Sequence, residues 1–268
     1  MSDRSVLVVG AGVTGASIAY HAACRGLAVT LIDRDLPGMG ATQHSFGWIG
    51  RSTDSGPAAE LRQLARGDYF SAPEDSTVDN ASSVEPQLIS APDRVRFGGD
   101  DGSVEPVALA ESLVEAAIRL GAKVVVGQPA VSLVCADGAV VGVQTPTQTF
   151  TATHTVIAAG TDSSVLCATV GAHLPVHGSP AVMVRLRTQP GLVRHIVAND
   201  SIEVRQLPDG TLLMPLDYCG QTTQRELNDT AEEARAELLR TFDAPTSVHV
   251  VGTTIGWRRC PPTENRSL

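Results

Sequence analysis

Apolar and polar positions follow two periods along this chain, and the changes of period mark its elements. Residues 6–9 form an unbroken apolar run, Val-Leu-Val-Val, and residues 29–32 a second, Val-Thr-Leu-Ile. Short runs of this kind predict strands buried on both faces of a sheet. A glycine-rich turn and a helix-like segment join them. Further on, Glu105-Pro106 opens a predicted helix running to about Leu120. Pro106 suits a first helical turn, and Leu109, Leu113, Ala116, Ala117 and Leu120 make an apolar stripe at helical spacing. Gly121 stops it. Strands are predicted at 95–97, 123–126, 131–134, 140–144, 149–151 and 154–160, with Asp137-Gly138 as a hairpin turn. From Leu174 the pattern alternates, with strands at 182–186, 202–206, 211–214 and 248–257 and one helix over 230–242. A further helix is predicted over 57–68, and the polar, proline-dotted stretch 71–92 reads as an exposed excursion.

The turn between the first two strands reads Gly10-Ala11-Gly12-Val13-Thr14-Gly15, and the second strand stops at Asp33. This is the order strand, glycine turn, helix, strand, acid that a dinucleotide needs. Gly10 permits a sharp turn, Gly12 lets the backbone approach a pyrophosphate, and Gly15 lets the helix pack on the strand. The helix N-terminus then offers N–H groups and partial positive charge to the phosphates. Asp33 follows Gly10 by 23 positions, near the usual spacing of about 20. A carboxylate there accepts from ribose hydroxyls and repels a 2′-phosphate, which favours FAD or NAD over NADP.

At 268 residues the chain is long enough for one large or two modest domains. A net charge of −9 argues against nucleic acid and anionic membranes as partners. The five cysteines (Cys24, Cys135, Cys167, Cys219, Cys260) have no paired spacing, which predicts small buried hydrophobes rather than disulfides or a metal site. His154, His173, His177 and His195 lack metal-ligand spacing as well. The first strand begins too near Met1 for a signal peptide to precede it. No apolar run approaches the ~18 residues of a membrane span. A cytoplasmic location is therefore expected.

Four later blocks, in order, carry a family resemblance: Ala41-Thr42-Gln43-His44-Ser45-Phe46-Gly47-Trp48-Ile49, Asp101-Gly102-Ser103-Val104-Glu105-Pro106-Val107-Ala108-Leu109, Thr155-Val156-Ile157-Ala158-Ala159-Gly160, and Ile255-Gly256-Trp257-Arg258. With the glycine turn they resemble the FAD-dependent superfamily of D-amino-acid oxidase, glycine oxidase and sarcosine oxidase. The resemblance implies an α/β fold: a Rossmann-like FAD-binding domain with an interleaved, mostly antiparallel substrate domain, related to that of glutathione reductase. It implies an FAD domain over 1–50 and 93–172, a substrate domain over 51–92 and 173–257, and a tail at 258–268. It also implies oxidation of the C–N bond of a small amine or amino acid by hydride transfer to flavin N5.

By the same resemblance, Gly10, Ala11, Gly12, Val13, Thr14, Gly15, Asp33, Arg34, Ala41, Thr42, Ser45, Val131, Ala159 and Gly160 serve FAD. Arg258 matches the arginine that holds a substrate carboxylate, a task suited to the guanidinium fork. His44 lies in the loop expected to face the flavin. Trp48 is expected either to line the flavin or to sit in a core. Arg51, Arg185 and Arg205 read as solvated or salt-bridged, and Tyr218 lies in a turn-like stretch.

The pattern also departs from the family. Arg259 stands where proline is usual, and the family's closing strand, glycine loop and helix are not found after Pro262-Thr263-Glu264-Asn265. The expectation is a C-terminally truncated or decayed member that keeps the ADP-binding half. Its site would then lack part of the cover over the flavin, or would be completed by a partner subunit or a second copy.

Overall fold

The computed structural model describes residues 4–50, 60, 75–99, 101–244 and 247–260. The helix expected over 57–68 and Arg51 lie outside the described residues. In chain order the elements begin with β1 (Ser5–Val9), α1 (Val13–Cys24), β2 (Ala28–Ile32), β3 (Trp48–Ile49), β4 (Asp75–Asp79), β5 (Arg94–Gly98) and β6 (Gly102–Ser103). There follow α2 (Pro106–Arg119), β7 (Lys123–Val125), β8 (Ser132–Ala136), β9 (Ala139–Gln144), β10 (Thr149–Thr151), β11 (His154–Ile157) and α3 (Ser163–Ala168). The last are β12 (His177–Arg187), β13 (Val197–Ala198), β14 (Glu203–Gln206), β15 (Thr211–Asp217), α4 (Gln224–Thr241) and β16 (His249–Cys260). Among the described residues no helix is long and apolar enough to cross a membrane.

Two compact units result: Met1–Ser45, Glu105–Ala181 and Gly256–Leu268 in the first, Phe46–Val104 and Val182–Ile255 in the second. These breaks differ from those read in the sequence. Residues 93–104 fall in the second unit because β5 pairs with β4, and β6 with β3, antiparallel. Gly178 on β12 and Trp257 on β16 fall in the first, where the Trp257 ring lies against Gly178.

The first unit is built on a parallel sheet of order β11-β1-β2-β7. Period two along β1 sends Val6 and Val8 to one face and Leu7 and Val9 to the other. The first face buries the alanines of α1 (Ala16, Ala19, Ala23) and Ala110, Val114 and Ala117 of α2. The second is covered by Leu133, Val143 and Leu166. Burial on both sides is why the β1 sequence is apolar throughout rather than alternating. The antiparallel sheet β10-β9-β8 contains the expected hairpin, with Asp137 and Gly138 both at positive φ (48° and 77°) as a tight hairpin turn requires.

The second unit carries a five-stranded sheet of order β13-β14-β15-β12-β16. Ala231, Ala234 and Leu238 of α4 are buried in the same core as Val182, Val184, Val204, Leu212 and Met214 of its strands. Three expectations need correction here. First, 71–92 is not a wholly exposed excursion: it contains β4, Ala81 is buried, and Glu85 is only 3% exposed. Second, Cys24, Cys135 and Cys219 are exposed rather than buried, because each sits at an element end or outer face. Third, α4 starts at Gln224 and not near 230.

The early start of α4 has a local cause. Thr223 Oγ1 accepts the Glu226 N–H, while the Glu226 carboxylate accepts the N–H groups of Thr222 (2.8 Å) and Thr223 (2.9 Å). This reciprocal cap satisfies donors that the first turn leaves open. The backbone bonds from Thr222 and Thr223, then the Thr223 hydroxyl, hold the Glu226 carboxyl below the ordinary carboxylate value. A depressed folded value means the cap contributes fully above the unfolded value and is lost as pH falls through the folded one. Acid titration followed by NMR should therefore move the Thr222 and Thr223 amides at a pH below the ordinary carboxylate range, and Glu226→Gln should abolish that transition. Amides that titrate at the ordinary value would show that the cap does not form.

Candidate functional site

The carboxyl end of β1 is a topological switch point. The chain leaves it through α1 to β2 on one side, while β11 lies on the other. Open parallel sheets place ligands at such points. Gly10 turns the chain there at φ +104°, its N–H donating to the Ile32 carbonyl at 2.8 Å. A Cβ on Gly10 would stand 2.4 Å from the Ala158 carbonyl oxygen, and one on Gly15 would stand 1.8 Å from the Gly10 oxygen. The glycines, with Ala158 and the half-buried Ala159, thus let the turns after β1 and β11 and the start of α1 close on one another.

Gly12 is the extended N-cap of α1 and has no side chain to cap it. The cap comes instead from Thr42, which is buried in the short helical turn Ala41–His44 and accepts the Val13 N–H on its Oγ1 at 3.1 Å. A Cβ at Gly12 would lie 3.2 Å from that hydroxyl. A side chain there would crowd the capping hydroxyl by a few tenths of an ångström. The result is a small-walled cradle of backbone N–H and hydroxyl at a helix N-terminus, with the chemistry of an anion site. Thr14 is exposed on the first turn, as are Ala41 and Ser45 beside it, and Ser45 donates its N–H to the Thr42 carbonyl.

Asp33 has a role that the spacing did not reveal. Its Oδ2 accepts the Ala11 N–H and its Oδ1 the Asp35 N–H at 2.8 Å, so the carboxylate braces the glycine turn from the end of β2. Each carboxylate oxygen keeps a second lone pair for a ribose hydroxyl. The Ala11 carbonyl in turn accepts the Gly38 N–H, folding the 33–40 loop back onto the turn. Arg34, exposed, pairs with Asp162 just after Gly160, and more loosely with Asp35. Gly160 itself is exposed at φ +57°. Val131 is exposed and donates its N–H to the Gln144 carbonyl. Three residues earlier, the Gln128 N–H donates to the Asp33 carbonyl.

Of the two candidates for substrate chemistry, His44 rests on the strand that carries Arg258. A Cβ on Gly256 would be 2.5 Å from the His44 Cβ, so the half-buried His44 lies directly on β16 at that position. Period two along the strand puts the exposed Arg258 on the same face as that contact and Trp257 on the opposite one. Gly256 could have been found in the sequence, because an isolated glycine within a strand signals close approach of another chain segment. Trp48 is not a core tryptophan. It is 40% exposed in the second unit and donates its indole N–H to Asp101. Arg185 bonds Thr254, and Tyr218 packs at the edge of the second unit's core.

Residues 5–76 and 73–266 match the family model DAO, described as FAD dependent oxidoreductase. The uncharacterized oxidoreductase YurR of Bacillus subtilis is 28% identical over 224 residues, which cover 65% of this chain and 59% of that protein. The chain therefore spans under two-thirds of that relative's length. Glycine oxidase from Bacillus cereus superposes with a TM-score of 0.81 at 18% identity, covering 96% of this chain and 85% of the other. L-amino acid deaminase from Proteus myxofaciens gives 0.83 at 14% identity, covering 97% and 81%. At these identities the superpositions speak for the fold, an α/β architecture with a Rossmann-like parallel sheet and an antiparallel sheet. The match over nearly the whole sequence places the chain in the DAO family of FAD-dependent oxidoreductases.

Proposed function

We propose that the chain binds FAD at the carboxyl end of β1 and oxidises the C–N bond of a small amine or amino acid. The observation that carries this reading is the seating of His44 on Gly256. It rests the His44 side chain on β16, and the strand period supports Arg258 sharing that face. The same short helical turn carries Thr42 to the N-terminus of α1. When bound, FAD supplies the hydride acceptor for the oxidation. The chain's own residues do the rest. The glycine turn and Thr42 receive the pyrophosphate, Asp33 receives the ribose, and Arg34, Val131, Ala159 and Gly160 border the nucleotide. Arg258 orients a substrate carboxylate through its planar fork. The amino-acid class of substrate is supported by the glycine oxidase and the amino acid deaminase that share the fold.

The visible spectrum of the purified protein, with FAD added if needed, tests the cofactor. Hydrogen peroxide release or dye reduction with glycine, sarcosine, D-amino acids and dimethylated amines tests the reaction. Failure to bind FAD would overturn the reading. Tight FAD without turnover on any of these would instead favour an FAD-binding remnant, completed by a partner chain. In an active protein, Arg258→Met is expected to lower kcat/KM for amino acids by about a hundredfold, the size of losing one charge-paired hydrogen-bonded contact. Amines without a carboxylate should be unaffected; an equal loss on both would remove Arg258 from substrate binding.

A further inference from the structure

Arg205 on β14 was expected to be solvated or salt-bridged, yet it is only 4% exposed. Its Nε donates to the Phe46 carbonyl at 2.6 Å, Nη2 to the Val104 carbonyl at 3.1 Å, and Nη1 to Ser103 Oγ at 3.2 Å. The guanidinium also stands 5.5 Å from the centre of the Phe46 ring, which belongs to a buried cluster with Met183 and Leu213. Phe46 is the first residue of the second unit and Val104 the last before the chain returns to the first. The two crossings are joined again by the Val104 N–H on the Gly47 carbonyl (2.9 Å) and by the β3–β6 ribbon, Trp48 opposite Ser103. One side chain thus binds both places where the chain changes unit.

We propose that Arg205 is a positioning residue for the cofactor site. By holding Phe46 it fixes the C-terminal end of the 41–45 segment, whose Thr42 caps α1 and whose His44 lies on Gly256. By holding Val104 it fixes the approach to α2. A planar fork with donors in fixed directions suits this task, since it binds two carbonyls and a hydroxyl at once. The cofactor part of the proposal rests on the reading of the β1 turn as an FAD site.

Hydrogen exchange of the whole protein, free of FAD, tests the anchoring, and FAD titration followed by flavin fluorescence and visible circular dichroism tests its consequence. Arg205→Met keeps an unbranched apolar stem but removes the donors. The amides of 42–47 and 103–105 are expected to exchange about tenfold faster, while those of β12 and β15 keep their protection. FAD affinity should fall by about tenfold with an altered dichroism band. Arg205→Lys, which keeps charge and some donors, should recover part of both. Uniformly faster exchange across the β12–β15 sheet, in both variants, would show a merely structural arginine and overturn the proposal. So would unchanged exchange at 42–47, or unchanged FAD affinity in a variant whose 42–47 amides are loosened. If the wild-type protein binds no FAD, the functional reading fails and the cofactor part with it, while exchange still decides the anchoring.

Discussion

Replacing Gly10 with alanine is expected to abolish FAD binding and to lower stability by about 3 kcal/mol. Two penalties coincide at this position. The backbone lies at φ +104°, where a residue with a Cβ is strained, and the added carbon would stand 2.4 Å from the Ala158 carbonyl oxygen and 2.7 Å from its carbon. The contact is with backbone, so no side chain can turn aside. Relief would require the turn after β1 to move away from β11, or the Ala158 N–H to leave the Val9 carbonyl, a bond of 2.8 Å. Either change shifts the cradle at Gly12 and Thr42. Gly26→Ala is the proper control. Gly26 also has positive φ, +74°, but a Cβ there meets nothing within 4 Å, so the cost should be about 1 kcal/mol from strain alone. Urea midpoints and flavin absorbance of the two variants compare these directly. A Gly10→Ala protein with wild-type flavin content and midpoint would refute the account of the turn.

Glu85→Ala should have the second large effect, a loss of about 3 kcal/mol. The Glu85 carboxylate is almost wholly buried and accepts the N–H groups of Arg194 (3.0 Å) and His195 (2.5 Å). It also meets His195 Nδ1 at 2.9 Å, and the His195 ring packs edge-on against Phe97. Truncation removes the buried acceptor and leaves two part-buried backbone donors without it, which costs more than the bonds themselves were worth. The segment after Glu85 would lose its hold on the 194–195 turn, although Leu88 still packs on the second unit's core and bridges to Phe242. For a chain of this size the melting temperature should fall by roughly 6–10 °C. His195→Ala removes the ring's contacts with Glu85 and Phe97 while both backbone bonds remain, so its cost should be about 1 kcal/mol. Equal effects of the two variants would mean that the carboxylate acts through the imidazole alone.

Glu85 and Asp33 show where reading the chain residue by residue stops. Around Glu85 the sequence is polar and broken by prolines, and nothing in its pattern tells a buried acceptor from a solvated one. The partners, Arg194 and His195, are more than a hundred positions away. The chemical expectation for Asp33 came from its place at the end of β2. Its bond to Ala11 depends on how the glycine turn curls back over the strand ends. Arg205 is the same case in stronger form, since its solvated appearance gives way to three long-range bonds to the crossings at 46 and 103–104. The capping box before α4 is different. Thr223 and Glu226 stand three residues apart, so the helix start at Gln224 was within reach of the sequence.

What the sequence by itself determined is therefore whatever depends on neighbours along the chain. The apolar runs of β1 and β2, the glycine turn, the stripe on α2, the Asp137-Gly138 hairpin and the ordered family blocks all express local geometry or local burial. Only the tertiary structure decided that Thr42 caps α1, that His44 meets Gly256, that Glu85 is buried and that Arg205 clamps two crossings. The His44 contact is a close steric approach at a glycine, and the other three are hydrogen bonds between groups far apart in sequence. Such contacts leave no periodic trace, because hydrogen bonds fix direction and partner but not spacing along the chain.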